Sequence, residues 1–170
     1  WFEPVLTSID IPHMIANWEA TLEGYTAKKS LKTKTLIAPD LPLTLIGDQE
    51  RITQIVNNLL SNAFKFTESG DVTLGVRWEE KTFIIEVSDT GIGIPEELKL
   101  ETSHYPVSKT GTAGEKGVGL GLKISRELAK RNGAEIFIES KQDKGTEITL
   151  AFNNAGQVKN GIQSNQTHHV

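Results

Sequence analysis

Cysteine is absent from the 170 residues, which removes disulfides, zinc ribbons, iron–sulfur clusters and thiol catalysis together. That absence suits a reducing compartment. No run of 18 apolar residues occurs, so no segment reads as a membrane-spanning helix. The N-terminus starts at Trp1 and lacks the basic-then-apolar pattern of a secretory signal, so a fragment of something longer is expected. An excess of positive charge is also missing: the net charge of −4 argues against a protein that grips nucleic-acid backbone by bulk charge. With 37% hydrophobic and 24% charged residues, the chain reads as an ordinary globular protein with room for one domain.

What the chain does have is clustered glycine. Two groups stand out among the 15, Asp89-Thr90-Gly91-Ile92-Gly93-Ile94 and Gly117-Val118-Gly119-Leu120-Gly121-Leu122. Glycines so placed let backbone N–H groups come close to a ligand, commonly a phosphate. Apolar residues at Ile11, Met14, Ile15, Trp18 and Leu22 predict an amphipathic helix over Pro12 to Ala27. Short strands follow at Leu31 to Ile37 and Thr44 to Ile46, separated by Pro39-Asp40-Leu41-Pro42. Asp48 is a good N-cap for a helix from Gln49 to Phe66, whose apolar positions run Ile52, Ile55, Val56, Leu59, Leu60, Ala63 and Phe64. Asn58, Asn62 and Lys65 share a separate stripe, within roughly 60° of one another at about 100° per residue.

Alternation predicts a hairpin of Val72-Leu74-Val76-Trp78 and Phe83-Ile85-Val87, turning at Glu79-Glu80-Lys81. Asp89 continues the second alternation. It is expected on the core side, where a carboxylate is costly unless something binds it. A polar stretch from Glu96 to Lys116 has the length of a functional loop. The second glycine cluster then opens a helix, Leu120 to Arg131, stopped by Asn132-Gly133. Two strands around Ile136–Ile138 and Ile148–Phe152 close the domain, and residues 154–170 read as a polar tail or linker. The expected fold is a two-layer α/β sandwich with a mixed, largely antiparallel sheet and helices on one face.

Two familiar phosphate motifs fail on spacing. Lys116 sits between Glu115 and Gly117, which is no P-loop, and the late cluster is G-x-G-x-G after a loop rather than G-x-G-x-x-G after a strand. A carboxylate at Asp89 could accept from adenine's exocyclic amine, favouring ATP over GTP. Asn58 and Asn62 could supply neutral oxygens to magnesium, which takes few protein ligands beside phosphate and water, and Lys65 could meet a phosphate. Each feature alone has an ordinary reading: solvated helix residues, an Asx turn, tight glycine turns, surface lysines.

Together they carry a resemblance. Asn58-Leu59-Leu60-Ser61-Asn62-Ala63-Phe64-Lys65-Phe66-Thr67 resembles the N box of sensor histidine kinases. Asp89 to Pro95 is similar to their G1 box and Gly117 to Leu122 to their G2 box, in order over residues 1–153. The resemblance implies the ATP-binding catalytic domain of a two-component kinase, with the Bergerat fold shared with gyrase, the ninety-kilodalton heat-shock chaperone and mismatch-repair ATPases. It implies that Asp89 reads the adenine amine, Asn62 ligates Mg2+ with help from Asn58, and Lys65 sits near the phosphates. It further implies that Gly91, Gly93 and Ile94 line the base pocket. Gly117, Val118, Gly119, Leu120 and Gly121 would hold the triphosphate side, with Lys109 and Lys116 as phosphate contacts from the lid. Thr146 resembles a late threonine that supports the aspartate by hydrogen bonding. The implied cofactors are ATP and Mg2+, and the implied catalytic residues are Asn58 and Lys65.

The implied partners are a dimerisation and histidine phosphoacceptor domain of the same protein and a downstream response regulator. Nucleic acid and direct membrane contact are not expected. The implied location is cytoplasmic, as the cytoplasmic part of a membrane-anchored sensor. Hydrolysing relatives place a glutamate general base where this chain has Asn58, and an amide cannot take a proton from water at neutral pH. That favours transfer to a histidine over ATP hydrolysis of the chaperone or gyrase type. Two departures stand out: no Phe occurs between Phe83 and Phe137, so the family's F box is missing, and Val118 replaces the usual G2 threonine. They favour an alternative, a nucleotide-binding regulatory or degenerate module without transfer activity. None of the four histidines has the context of a phosphoacceptor: His13 is followed by Met14, His104 lies in the lid, and His168 and His169 lie in the tail.

Overall fold

The structure, a computed structural model, describes residues 5–93 and 118–152. The chain opens with β1 (Thr7–Asp10) and α1 (Ile11–Thr26), then β2 (Leu31–Ile37), β3 (Thr44–Gly47) and α2 (Gln49–Lys65). The hairpin β4 (Gly70–Glu79) and β5 (Thr82–Asp89) follows, then α3 (Val118–Arg131) and the hairpin β6 (Ala134–Lys141) and β7 (Gly145–Phe152).

Both long helices begin on aspartate. Asp10 accepts from the His13 backbone N–H at 3.0 Å, with Pro12 in the first turn where no N–H is needed. Asp48, buried, accepts from the Arg51 N–H at 3.2 Å through Oδ1 and from the Val5 N–H at 2.9 Å through Oδ2. One carboxylate thus caps α2 and ties down the start of the described chain. All seven apolar residues expected on α2 are buried, so the 3.6-residue period of the sequence is the period of the packing.

The main sheet has five strands in the order β2-β4-β5-β7-β6. β2 runs parallel to β4, and the other pairs are antiparallel. The parallel pair requires a crossover, and α2 supplies it. Val72, Leu74 and Val76 pair in register with Asp89, Val87 and Ile85, and these with Thr146, Ile148 and Leu150. The apolar members of this set are buried with α1 and α2 residues in one core. The result is the expected two-layer sandwich, with its helices on that side of the sheet. Trp18, fully buried on α1, donates from Nε1 to Thr53 Oγ1 of α2 at 3.3 Å, and Tyr25 stacks on Phe64 at 4.1 Å.

Three details differ from the sequence reading. β1 was not anticipated, and it pairs antiparallel with β3 in a separate two-stranded sheet. Four residues with one buried side chain, Ile9, are too short to show alternation. The β4–β5 turn has two residues, Glu80 and Lys81, rather than three, both at positive φ (45° and 69°), the twist that a two-residue hairpin demands. α3 starts at Val118, two residues before Leu120. The boundary after residue 153, the tail and the long polar loop lie outside the described residues.

Candidate functional site

Asp89 is the last residue of β5 and stands half-buried on the helix-packed side, in line with Val87 and Ile85. Its Oδ1 accepts from the Gly91 N–H at 2.9 Å, an Asx-type turn that reverses the chain off the strand. Burial pushes the carboxyl up to about 6, because a charged carboxylate loses hydration there. The Gly91 and Thr146 backbone N–H groups and the Thr67 hydroxyl oppose that rise. The group is therefore a hydrogen-bonded but under-solvated acceptor, still mainly ionised at neutral pH.

The 89–93 turn is wedged between two other segments. On one side the Ile92 N–H donates to Phe66 O at 3.0 Å, at the end of α2. On the other, the Asp143 N–H donates to Ile92 O at 2.5 Å, in the β6–β7 turn. Gly91 has no space for a side chain: a Cβ would stand 2.1 Å from Phe66 O. Gly93 has φ +71°, and its Cβ would stand 2.0 Å from Lys141 O. These two glycines are needed because backbone packs on backbone around Asp89.

A cleft of about 580 Å³ opens beside the aspartate, lined among others by Asp89, Ile138, Ser140, Lys144, Thr146 and Glu147. Its lining is mainly polar and charged, with Ile138 the one apolar side chain, so the cleft offers a ligand hydrogen-bonding groups. Thr146 pairs directly with Asp89 in the β5–β7 register. Its hydroxyl is 2.8 Å from Ser140 Oγ, and its backbone N–H is the group that favours the charged carboxylate. The resemblance implied hydrogen bonding from Thr146 without naming the atom.

Asn58 and Asn62 lie one turn apart on α2, about 6 Å along the axis, and both are half-buried, as is Lys65 in the last turn. The Asn62 Nδ2 is buried without a hydrogen-bond partner. No hydrogen bond to that nitrogen fixes the orientation of the amide. Among the described residues no group of three or more His, Cys, Asp or Glu could hold a metal. An amide oxygen beside a phosphate-bearing ligand fits magnesium's chemistry, which needs few protein ligands.

Val118, Gly119, Leu120 and Gly121 form the opening turn of α3. Ile94, Lys109, Lys116 and Gly117 lie outside the described residues. Two residues were given no role by the sequence reading. Lys29 donates from Nζ to Phe64 O and, at 3.2 Å, to Thr67 O, clamping the end of α2. Thr67, fully buried, faces Asp89. A lysine in a polar turn carries no sequence signal, whereas Thr67 stood at the end of the N-box stretch.

Residues 47–155 match the family described as histidine kinase-, DNA gyrase B-, and HSP90-like ATPase. The chain is 37% identical over 148 residues to the aerobic respiration control sensor protein ArcB of Escherichia coli strain K12, covering 85% of this chain and 19% of that protein. It is 36% identical over 140 residues to the sensor histidine kinase RcsC of Salmonella typhimurium, covering 81% of this chain and 14% of that protein. The chain thus spans a fifth or less of these relatives. Among solved structures, full-length ShkA in complex with AMPPNP matches with a TM-score of 0.75 at 24% identity, over 89% of this chain and 32% of that one. The nucleotide-free catalytic domain of histidine kinase ThkA matches with a TM-score of 0.72 at 24% identity, over 86% and 96%. Both likenesses concern the fold. No helix among the described residues is long and apolar enough to cross a membrane.

Proposed function

Since the chain belongs to the histidine kinase-, DNA gyrase B-, and HSP90-like ATPase family, we propose that it is the ATP-binding catalytic domain of a sensor histidine kinase. The observation that carries this reading is the Asp89 carboxylate. It is ionised in a poorly hydrated site, held by the Gly91 N–H with the Thr146 N–H close enough to favour the charge, and set at a cleft of about 580 Å³. Such an acceptor selects a ligand that brings its own N–H donor, and adenine's exocyclic amine is that donor where guanine offers a carbonyl. Asn62, with Asn58, would hold magnesium, whose charge would offset that of the phosphates. Lys65 would face the phosphates from the last turn of α2.

The proposed reaction breaks the bond from the γ-phosphorus to the bridging oxygen and forms a bond to an imidazole nitrogen, releasing ADP. The acceptor would be a histidine on a dimerisation domain of the same protein, and a response regulator would receive the phosphoryl group next. Catalysis of this type is mostly positioning and charge stabilisation, which suits a site built of backbone donors and amides. Asn58 supports transfer over hydrolysis because it cannot act as a base. The setting would be the cytoplasmic part of a membrane-anchored sensor.

Thermal melts with ATP, ADP and GTP, each with and without magnesium, test the binding step. At 100 times Kd a ligand adds about 2.7 kcal/mol, or roughly 5–11 °C at this size. The expected shift is adenine-selective, larger with magnesium, and lost in Asp89→Asn; no shift with any nucleotide would remove the reading. The second reading, a nucleotide-responsive module without transfer, is favoured by the missing F-box phenylalanines and by Val118. Supplying an acceptor domain in trans with radiolabelled ATP separates the two: label on histidine supports the kinase, and binding without label supports the module.

A further inference from the structure

Thr67 follows the Phe66 C-cap of α2 and is 0% exposed. Its Oγ1 is one of four buried side-chain polar atoms without a hydrogen-bond partner among the described residues. A buried hydroxyl left unmet is unfavourable, and such atoms cluster where a ligand or a conformational step will satisfy them. This one is aimed at the 89–91 turn: a Cβ on Gly91 would stand 2.7 Å from it. The hydroxyl is close enough to the Asp89 carboxyl to favour its charged form, although its geometry falls short of a full hydrogen bond.

The residue itself is held firmly. Lys29 Nζ donates to Thr67 O at 3.2 Å, and the preceding carbonyl, Phe66 O, accepts from the Ile92 N–H. The backbone is thus fixed on both sides of the turn, and the hydroxyl can change partners by rotation about its own side-chain bonds. Thr146, the other hydroxyl near the carboxylate, is already engaged with Ser140 Oγ. An ionised carboxylate has about four acceptor positions. The Gly91 N–H uses one of them and the Thr146 N–H lies near enough to favour the charge at a second, leaving room for one hydroxyl and one ligand donor.

From this arrangement we infer that Thr67 is a positioning residue for Asp89, its hydroxyl donating to one carboxylate oxygen and holding the group turned toward the exocyclic amine of a bound adenine. The inference rests on the ATP-binding reading and adds to it the device that orients the selecting group. Thr67 acts on the ligand through Asp89, since its hydroxyl is sealed beneath the turn.

The test compares ATP with purine riboside triphosphate, which carries hydrogen in place of the amine, by titration calorimetry on the 170-residue chain. Thr67→Val, which keeps the shape and removes the hydroxyl, is expected to weaken ATP about tenfold, the order of a lost hydrogen bond to a charged group. Purine riboside triphosphate is expected to change by less than about twofold, because its contact never uses the carboxylate. Thr67→Ser, which restores the hydroxyl, is expected to recover ATP binding to within about threefold. Equal losses for both nucleotides would overturn the inference in favour of a packing role, and unchanged ATP affinity in Thr67→Val would overturn it outright. The underlying reading fails separately, and takes the inference with it, if the unmodified chain binds the two nucleotides equally or if Asp89→Asn binds ATP as well as the unmodified chain.

Discussion

Thr146 stands directly opposite Asp89 across the β5–β7 ladder, and its backbone N–H reaches the carboxylate while its hydroxyl turns sideways to Ser140. The division has a physical basis. A backbone donor is fixed by the strand and costs no side-chain entropy to position, so the ladder that builds the sheet also orients the acid. It also makes the identity of residue 146 secondary to the presence of its strand.

Asp89 should make the unliganded protein less stable as it ionises. Its carboxyl is raised from 3.8 to about 6, so its contribution is fully present below pH about 4 and is lost as pH rises through about 6. Asp89→Asn removes that loss. Thermal melts without nucleotide should show the variant gaining on the unmodified chain at pH 7.5, by a few degrees, with the gap closing toward pH 5. A gap independent of pH would mean that the carboxyl does not titrate in this range.

Gly91→Ala places a methyl group against Phe66 O and Thr67 Oγ1. Because one neighbour is backbone, the turn must shift, at a cost of about 3 kcal/mol. Urea unfolding should show a lower midpoint with the slope unchanged. A cost under about 0.5 kcal/mol would show that the 89–93 turn does not pack as described.

Lys29→Met keeps the apolar stem and removes the donor to Phe64 O and Thr67 O. The end of α2 then has carbonyls without their cation, and a loss of about 1–2 kcal/mol is expected. Glu68→Gln, which removes the more exposed partner 3.9 Å from Nζ, should be close to neutral by the same assay. Equal effects would place the stabilisation in the ion pair instead of the helix end.

Asn62→Ala should separate binding from folding. The buried Nδ2 has no partner, so its removal is expected to leave the urea midpoint within about 0.5 kcal/mol or to raise it. If Asn62 holds magnesium, the variant loses the difference between ATP affinities measured with and without the metal. A magnesium dependence that survives the change removes Asn62 from the metal site.

The strong periods of the chain were readable because one face of each element is buried. The apolar stripe of α2, from Ile52 to Phe64, and the alternation that turned Asp89 inward both follow from that rule. β1 was not readable, since its partner β3 lies some 37 residues away and only Ile9 marks it. The Thr67 hydroxyl and the Lys29 clamp were hidden for a different reason. Both depend on where the chain goes after a helix ends, and no local pattern encodes which carbonyl a lysine will meet. Likewise the register could pair Thr146 with Asp89 only once both hairpins had met.

The strand order places β2 and β6 at the two borders of the main sheet. A border strand offers unpaired backbone groups to any other chain that approaches. On β2 the exposed Lys32 and Lys34 stand at that border, and on β6 the exposed Glu135, Glu139 and Lys141 flank the exposed aromatic Phe137. A second copy seeking to extend the sheet through β2 would bring lysine against lysine, and through β6 would have to strip water from glutamates. The charged side chains that β2 and β6 carry thus set a barrier along both borders against extension of the sheet by a second copy.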